Sequence, residues 1–154
     1  MQCETPAFFV FVASTQLGRD GEDVPASVVF RELIATNNWF LGKRTPFRTA
    51  YKQGDKVLFY LAGVGHRFFA GTAAVLSAPC PISASEARAL ADFGLFGYDL
   101  ALPLSDVDIW TTPKSIRDFV YRLDFITDKR NYGLHFRQGA TRISEADYAL
   151  VAGH

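Results

Sequence analysis

The sequence is poor in the residues that staple or catalyse. Its 154 residues hold two cysteines, Cys3 and Cys80, too few for a disulfide framework or a cysteine-rich zinc site. Neither has a neighbouring base in sequence, and Cys80 stands between Pro79 and Pro81, which argues against a reactive thiol. The three histidines are His66, His135 and His154. There is no Gly-x-x-x-x-Gly-Lys-Ser/Thr loop, no Gly-x-Gly-x-x-Gly turn, no His-Glu-x-x-His and no Cys-x-x-Cys, so phosphate-loop, dinucleotide and zinc chemistry have no local signature. A triad of Ser14, His66 and Asp99 has nothing local to support it. No apolar run reaches the 18 or so residues of a membrane span. The stretch Met1 to Pro6 carries Glu4 and no basic residue, unlike a signal peptide. These absences set the expectation of a reduced, cytoplasmic protein with no metal, no other cofactor, no membrane partner and no assigned catalytic residue.

Net charge is missing as well: sixteen Lys and Arg balance sixteen Asp and Glu. What is present is apolar surface, 49% hydrophobic and 14% aromatic, enough for a core without staples. With no repeat, low-complexity tract or linker, residues 1–154 read as one domain.

The apolar run Phe8 to Val12 predicts a buried strand, and the polar, Gly-containing Ser14 to Val24 a loop. Pro25 opens a helix with Phe30, Leu33 and Ile34 on one face, ended by Asn37-Asn38. Thr45-Pro46 predicts a short helix over Phe47 to Lys52, closed by Gly54. Lys56 to Leu61 and Arg67 to Val75 predict an antiparallel hairpin turning at Gly63-Val64-Gly65. Ser83 and Glu86 form a capping box for a helix over Ala84 to Asp92. Tyr98 to Leu104 reads as a strand, Thr112-Pro113 as the start of a helix carrying Ile116, Phe119 and Val120, Tyr132 to Arg137 and Ala140 to Ile143 as strands, and Ser144 as the cap of a last helix. Five to six strands interspersed with short helices fit an α+β domain with a small curved or barrel-like sheet better than a parallel βαβ array.

The neutral total conceals two basic stretches. Residues 37–70 hold six basic residues against Asp55 alone, a net +5; residues 114–142 hold seven against three, a net +4. Cations around Trp39 match what a nucleic acid requires, positive charge for phosphate and a π face for a base. The same residues also fit a solvated face with Trp39 covering the core at a helix end. Asp55 reads as a turn residue, and Trp110 as a structural one.

The order of Phe8 to Ser14, Asn37-Asn38-Trp39, Gly54 to Tyr60, Phe68 to Ala73, Leu123 to Ile126, Tyr132-Gly133, Phe136-Arg137 and Ile143 to Tyr148 resembles the EVE domain family of the PUA-like superfamily, and more distantly the YTH domain. The resemblance spans nearly the whole chain. It implies a small PUA-like β-barrel and a non-catalytic module that binds nucleic acid through a modified base, methylated for instance, held in an aromatic pocket. Carried to this sequence, Trp39 stands at the aromatic wall, Ser14 and Thr15 at the base edge, and Asn38 beside the wall. Phe96 and Tyr98 occupy the place of the opposite wall, where the sequence lacks a second tryptophan and where packing roles are the other reading. Lys43, Arg44 and Arg48 are the expected phosphate contacts. Two alternatives stay open: a small PUA-like or ASCH-like enzyme acting on a modified nucleoside, for which Lys43 or Asp99 could serve, and a methyl-lysine reader, which the surrounding basic residues disfavour.

Overall fold

A computed structural model describes residues 5–18, 20–63 and 66–153. Cys3, His154, the opening residues 1–4, the Val64-Gly65 tip of the hairpin and the side chain of His66 lie outside the described residues. The strands are β1 (Phe8–Ser14), β2 (Gln16–Leu17), β3 (Asp23–Val24), β4 (Asn38–Gly42), β5 (Lys56–Gly63), β6 (His66–Val75), β7 (Cys80–Pro81), β8 (Tyr98–Ser115) and β9 (Ala140–Ile143). Helices α1 (Ala26–Ile34), α2 (Ala84–Ala91) and α3 (Glu145–Ala152) accompany them, with 3-10 turns at Ile116–Asp118 and Tyr132–Phe136. The main sheet runs β4-β8-β6-β5-β1-β9, with β7 also pairing β8 and β2-β3 forming a separate small ribbon. This is the expected α+β architecture, a curled half-barrel flanked by short helices. Among the described residues no helix is long and apolar enough to cross a membrane.

β1 is apolar from Phe8 to Ala13 because both its faces are covered. Phe9 and Phe11 point to one cluster with α1, Trp39 and Phe59, while Phe8 and Val10 point to the other with Leu58, Tyr60, Ile116 and Phe136. Its partner β5 lies parallel, from Phe8↔Lys56 to Ser14↔Ala62, and β9 pairs its other edge antiparallel. Asp55 fixes this pairing at its start. Though fully buried, its carboxylate accepts hydrogen bonds from Ala7 N (3.0 Å), Lys52 N (3.1 Å) and Lys52 Nζ (2.8 Å).

The hairpin, the capping box at Ser83 and Glu86, and the Ser144 cap form as the sequence predicts. Five segments differ, the first being Ser14 to Val24, where the expected loop contains the β2-β3 ribbon. Asn38 to Gly42 pairs with β8 as a strand. β8 continues past Leu104 to Ser115, so Thr112-Pro113 is extended chain; the register jumps from Gly71↔Ile109 to Phe69↔Lys114, and Pro113 falls in the bulge, where no ladder N–H is needed. Phe47 takes φ +60°, which stops the helix expected over Phe47 to Lys52. Tyr132 to Phe136 coils into a 3-10 turn, started by Asp128 accepting hydrogen bonds from Asn131 N and Nδ2.

Candidate nucleic-acid interface

Three chain segments converge at one end of β1. The first is the turn leaving β4, closed by Gly42 N donating to Thr45 Oγ1 (2.8 Å) and Thr45 N donating to Gly42 O (3.1 Å). This closure turns Lys43 and Arg44 out to solvent. The second is Phe96-Gly97-Tyr98 at the entry to β8. Gly97 has φ +81°, and a Cβ on Gly42 would lie 3.0 Å from Gly97 O, so the two backbones meet where side chains would obstruct. The third is Arg137-Gln138-Gly139 before β9, tied to β1 by Val12 N donating to Gly139 O at 3.0 Å.

Between these segments lies an open cleft of about 560 Å³. Tyr98 and residues 137–139 also border a smaller recess of about 190 Å³, lined by Ser14 and Gln16 on its polar side and by Val29, Leu33 and Leu95 on its apolar side. That volume lies below the roughly 300–1,000 Å³ of drug-sized sites, a scale for a single flat heterocycle. On the far side of Arg137 a further cavity of about 410 Å³ carries Arg67 and Arg130. The charged residues lining the three spaces are Lys43, Arg44, Arg67, Arg130 and Arg137; among the described lining residues there is no acid. Such a surface focuses positive potential on a concave site. Burial raises the pKa of the Tyr98 phenol still further above neutrality, and its hydroxyl is a neutral hydrogen-bond donor there.

The residues expected from sequence divide between this cleft and the core. Ser14, Tyr98, Phe96, Lys43 and Arg44 border the cleft or its recess, with Phe96 at 66% exposure on the rim. Trp39 does not. Its ring is 3% exposed, stacked on Phe11 and flanked by Phe30 and Phe59. The expected accessible indole is thereby corrected: β4 pairs with β8, and this turns residue 39 inward. Asn38, at the opposite end of β4 from Gly42, donates through Nδ2 to Thr36 O (3.2 Å) and Oγ1 (3.1 Å). Thr15 faces Gly63, its Oγ1 2.5 Å from where a Cβ would stand. Arg48 is engaged by Asp99 in a two-pronged ion pair, Nη1 to Oδ1 at 2.9 Å and Nη2 to Oδ2 at 2.8 Å. The guanidinium holds the Asp99 carboxyl below the usual carboxylate range. The same pair occupies the carboxylate that an enzymatic reading would need.

Sequence reasoning missed Arg67, Arg130, Arg137, Gln138 and the apolar lining from α1. The signal for the arginines lay in the charge partition, because Lys43, Arg44 and Arg67 come from the +5 stretch while Arg130 and Arg137 come from the +4 stretch. Elsewhere, His135 accepts from Asp128 N at 3.2 Å, and Trp110 lies under Lys114 Nζ, 4.4 Å from the ring centroid. Both are structural placements.

No protein-family model and no curated protein sequence matches the chain. Solved structures do match it over almost its whole length. Human THYN1 protein in complex with 5-methylcytosine-containing DNA is 12% identical, with a TM-score of 0.60, covering 94% of this chain and 95% of that one. The N-terminal domain of Staphylothermus marinus McrB is 12% identical, with a TM-score of 0.59 and coverage of 94% and 92%. A hypothetical protein from Leishmania major is 15% identical, with a TM-score of 0.59 and coverage of 97% and 94%. The chain shares its fold with these structures. In this fold the cleft sits where β4 ends, β8 begins and β9 is about to begin, with the end of β1 at the adjoining recess.

Proposed function

We propose that the protein binds DNA carrying a methylated base by turning that base out of its stack into the 190 Å³ recess. The observation that carries this reading is a base-sized recess opening beside a cleft whose charged lining is wholly cationic. The shared fold with THYN1, solved with 5-methylcytosine-containing DNA, supports it.

Extrusion of a base costs a few kcal/mol, which the site must offset. Lys43, Arg44 and Arg137 hold backbone phosphates on either side, by charge-assisted hydrogen bonds that carry no sequence information. Phe96 offers an exposed ring to a neighbouring base, worth about 1–3 kcal/mol if stacked. Inside the recess, Ser14 and the Tyr98 hydroxyl face the base edge, and Val29, Leu33 and Leu95 receive its methyl group. These aliphatic side chains share the recess with Tyr98 and Phe136, whereas the sequence resemblance implied an aromatic cage built on Trp39. One buried methyl contributes about 0.8 kcal/mol, roughly a fourfold preference. An unmodified amine pressed on the same wall loses a hydrogen bond at about 1–3 kcal/mol, so a site that presents aliphatic carbon to an exocyclic N–H discriminates further.

Fluorescence anisotropy with duplexes identical except for one 5-methylcytosine, one N6-methyladenine or no modification tests the reading. The expected result is at least a fourfold preference for a methylated duplex. Ser14→Leu, which fills the recess, abolishes that preference while leaving weak binding to all probes. Equal affinity of the unaltered protein for every duplex would overturn it.

A further inference from the structure

The cavity of about 410 Å³ beyond Arg137 is not used by the base-binding reading. It lies between the β5–β6 hairpin and the 3-10 turn Tyr132–Phe136. Arg67 enters from β6 opposite Ala62, on the face of β5 that also carries Tyr60. Arg130 comes from the loop before the turn and Arg137 from the loop after it. These three arginines, all exposed, meet no acidic residue among the described lining.

Tyr60 supplies a second, independent observation. The side chain is 2% exposed and its ring stacks on Phe136, centroids 3.8 Å apart at 14°. The residue lines the cavity, yet among the described residues no hydrogen-bond partner meets its hydroxyl. Its electrostatic neighbours are Tyr132 and Arg67. Buried hydroxyls are ordinarily paired, so an unpaired donor aimed into a space ringed by guanidiniums calls for an anionic acceptor.

We propose that this cavity is a second phosphate subsite, in which Arg67, Arg130 and the Tyr60 hydroxyl grip a phosphodiester of the same strand whose base enters the recess. Arg137 borders both the recess and this cavity, so a strand leaving one passes directly to the other. The subsite rests on the proposed base-binding reading for its ligand, and it adds a docking polarity to it: the strand runs from the Lys43-Arg44 turn, past Arg137, to the hairpin.

The test uses the whole protein, methylated and unmethylated duplexes, and a potassium chloride titration. Arg67→Gln/Arg130→Gln, two exposed changes that leave the core untouched, is expected to weaken both duplexes about tenfold alike. The slope of log K against log salt should shallow by one to two, as expected for lost phosphate contacts. Tyr60→Phe is expected to weaken binding about fivefold, with the melting temperature of the free protein unchanged or higher, because the hydroxyl it removes is unpaired. Unchanged affinity and slope in the double variant overturn the subsite even where methyl preference persists. A shallower slope without any methyl preference in the unaltered protein supports the subsite and overturns the base reading instead. No binding by the unaltered protein overturns both.

Discussion

The indole of Trp39 lies nearly parallel to the ring of Phe11, with 17° between the planes and 5.3 Å between centroids. This stack joins β4 to β1, strands that are not hydrogen-bonded neighbours, and it makes Trp39 a bracket across the concave side of the sheet. Trp39→Ala should therefore lower unfolding free energy by about 3–5 kcal/mol, the usual cost of deleting a large buried aromatic. Urea denaturation measures it. At a temperature where the variant remains folded, its methyl preference should persist, an outcome opposite to that expected of a stacking platform.

The Arg48–Asp99 pair makes a pH-dependent contribution. Its guanidinium depresses the Asp99 pKa in the folded state. A depressed carboxylate pKa stabilises above the unfolded value, near 3.9, and that contribution is lost as pH falls through the lower folded value. Thermal melts of Asp99→Asn and the unaltered protein should differ at neutral pH, begin to converge below about pH 3.9, and meet once pH has fallen below the lower folded value. Both partners are partly exposed, so added salt should narrow the difference as well.

Tyr98→Phe removes one hydroxyl from the wall shared by cleft and recess. In anisotropy titrations the variant should bind the methylated duplex about threefold to tenfold more weakly, the effect of one hydrogen bond. The salt slope should remain that of the unaltered protein, because no phosphate contact is lost.

Gly97→Ala places a Cβ on a residue at φ +81°. The strain should cost about 1–2 kcal/mol, read as a lower melting temperature. Because Gly97 sits against Gly42, relief of that strain shifts the Lys43-Arg44 turn, and nucleic-acid affinity should fall with stability.

Elements set by neighbouring residues were legible in the sequence. The Ser83-Glu86 capping box and the Ser144 cap are local chemistry, and the apolar runs of β1 and the hairpin announce strands buried on both faces. β4 was not legible, because its three buried residues, Trp39, Phe40 and Leu41, are too short a run after the Asn37-Asn38 helix stop to announce a strand and become one only through β8. The parallel pairing of β1 with β5 was equally hidden, since no local pattern records which strand will lie beside a given run. At the candidate site, the cations were readable as two charge-biased stretches. Which aromatic faces solvent was not: burial of residue 39 is decided by Phe11, Phe30 and Phe59 from three other elements, whereas Phe96 is left on the rim by the positive-φ Gly97 beside it.

The bond from Val12 N to Gly139 O has a temporal consequence. Residues 137–139 reach β1 only after the long stretch of chain between them has been made, so the concave site closes late and from segments far apart in sequence. A ligand seated there clasps those segments together. Amide hydrogens of Val12 and of β9 should accordingly exchange more slowly in the complex, and a nascent chain that has not yet docked β9 should have no grip on nucleic acid.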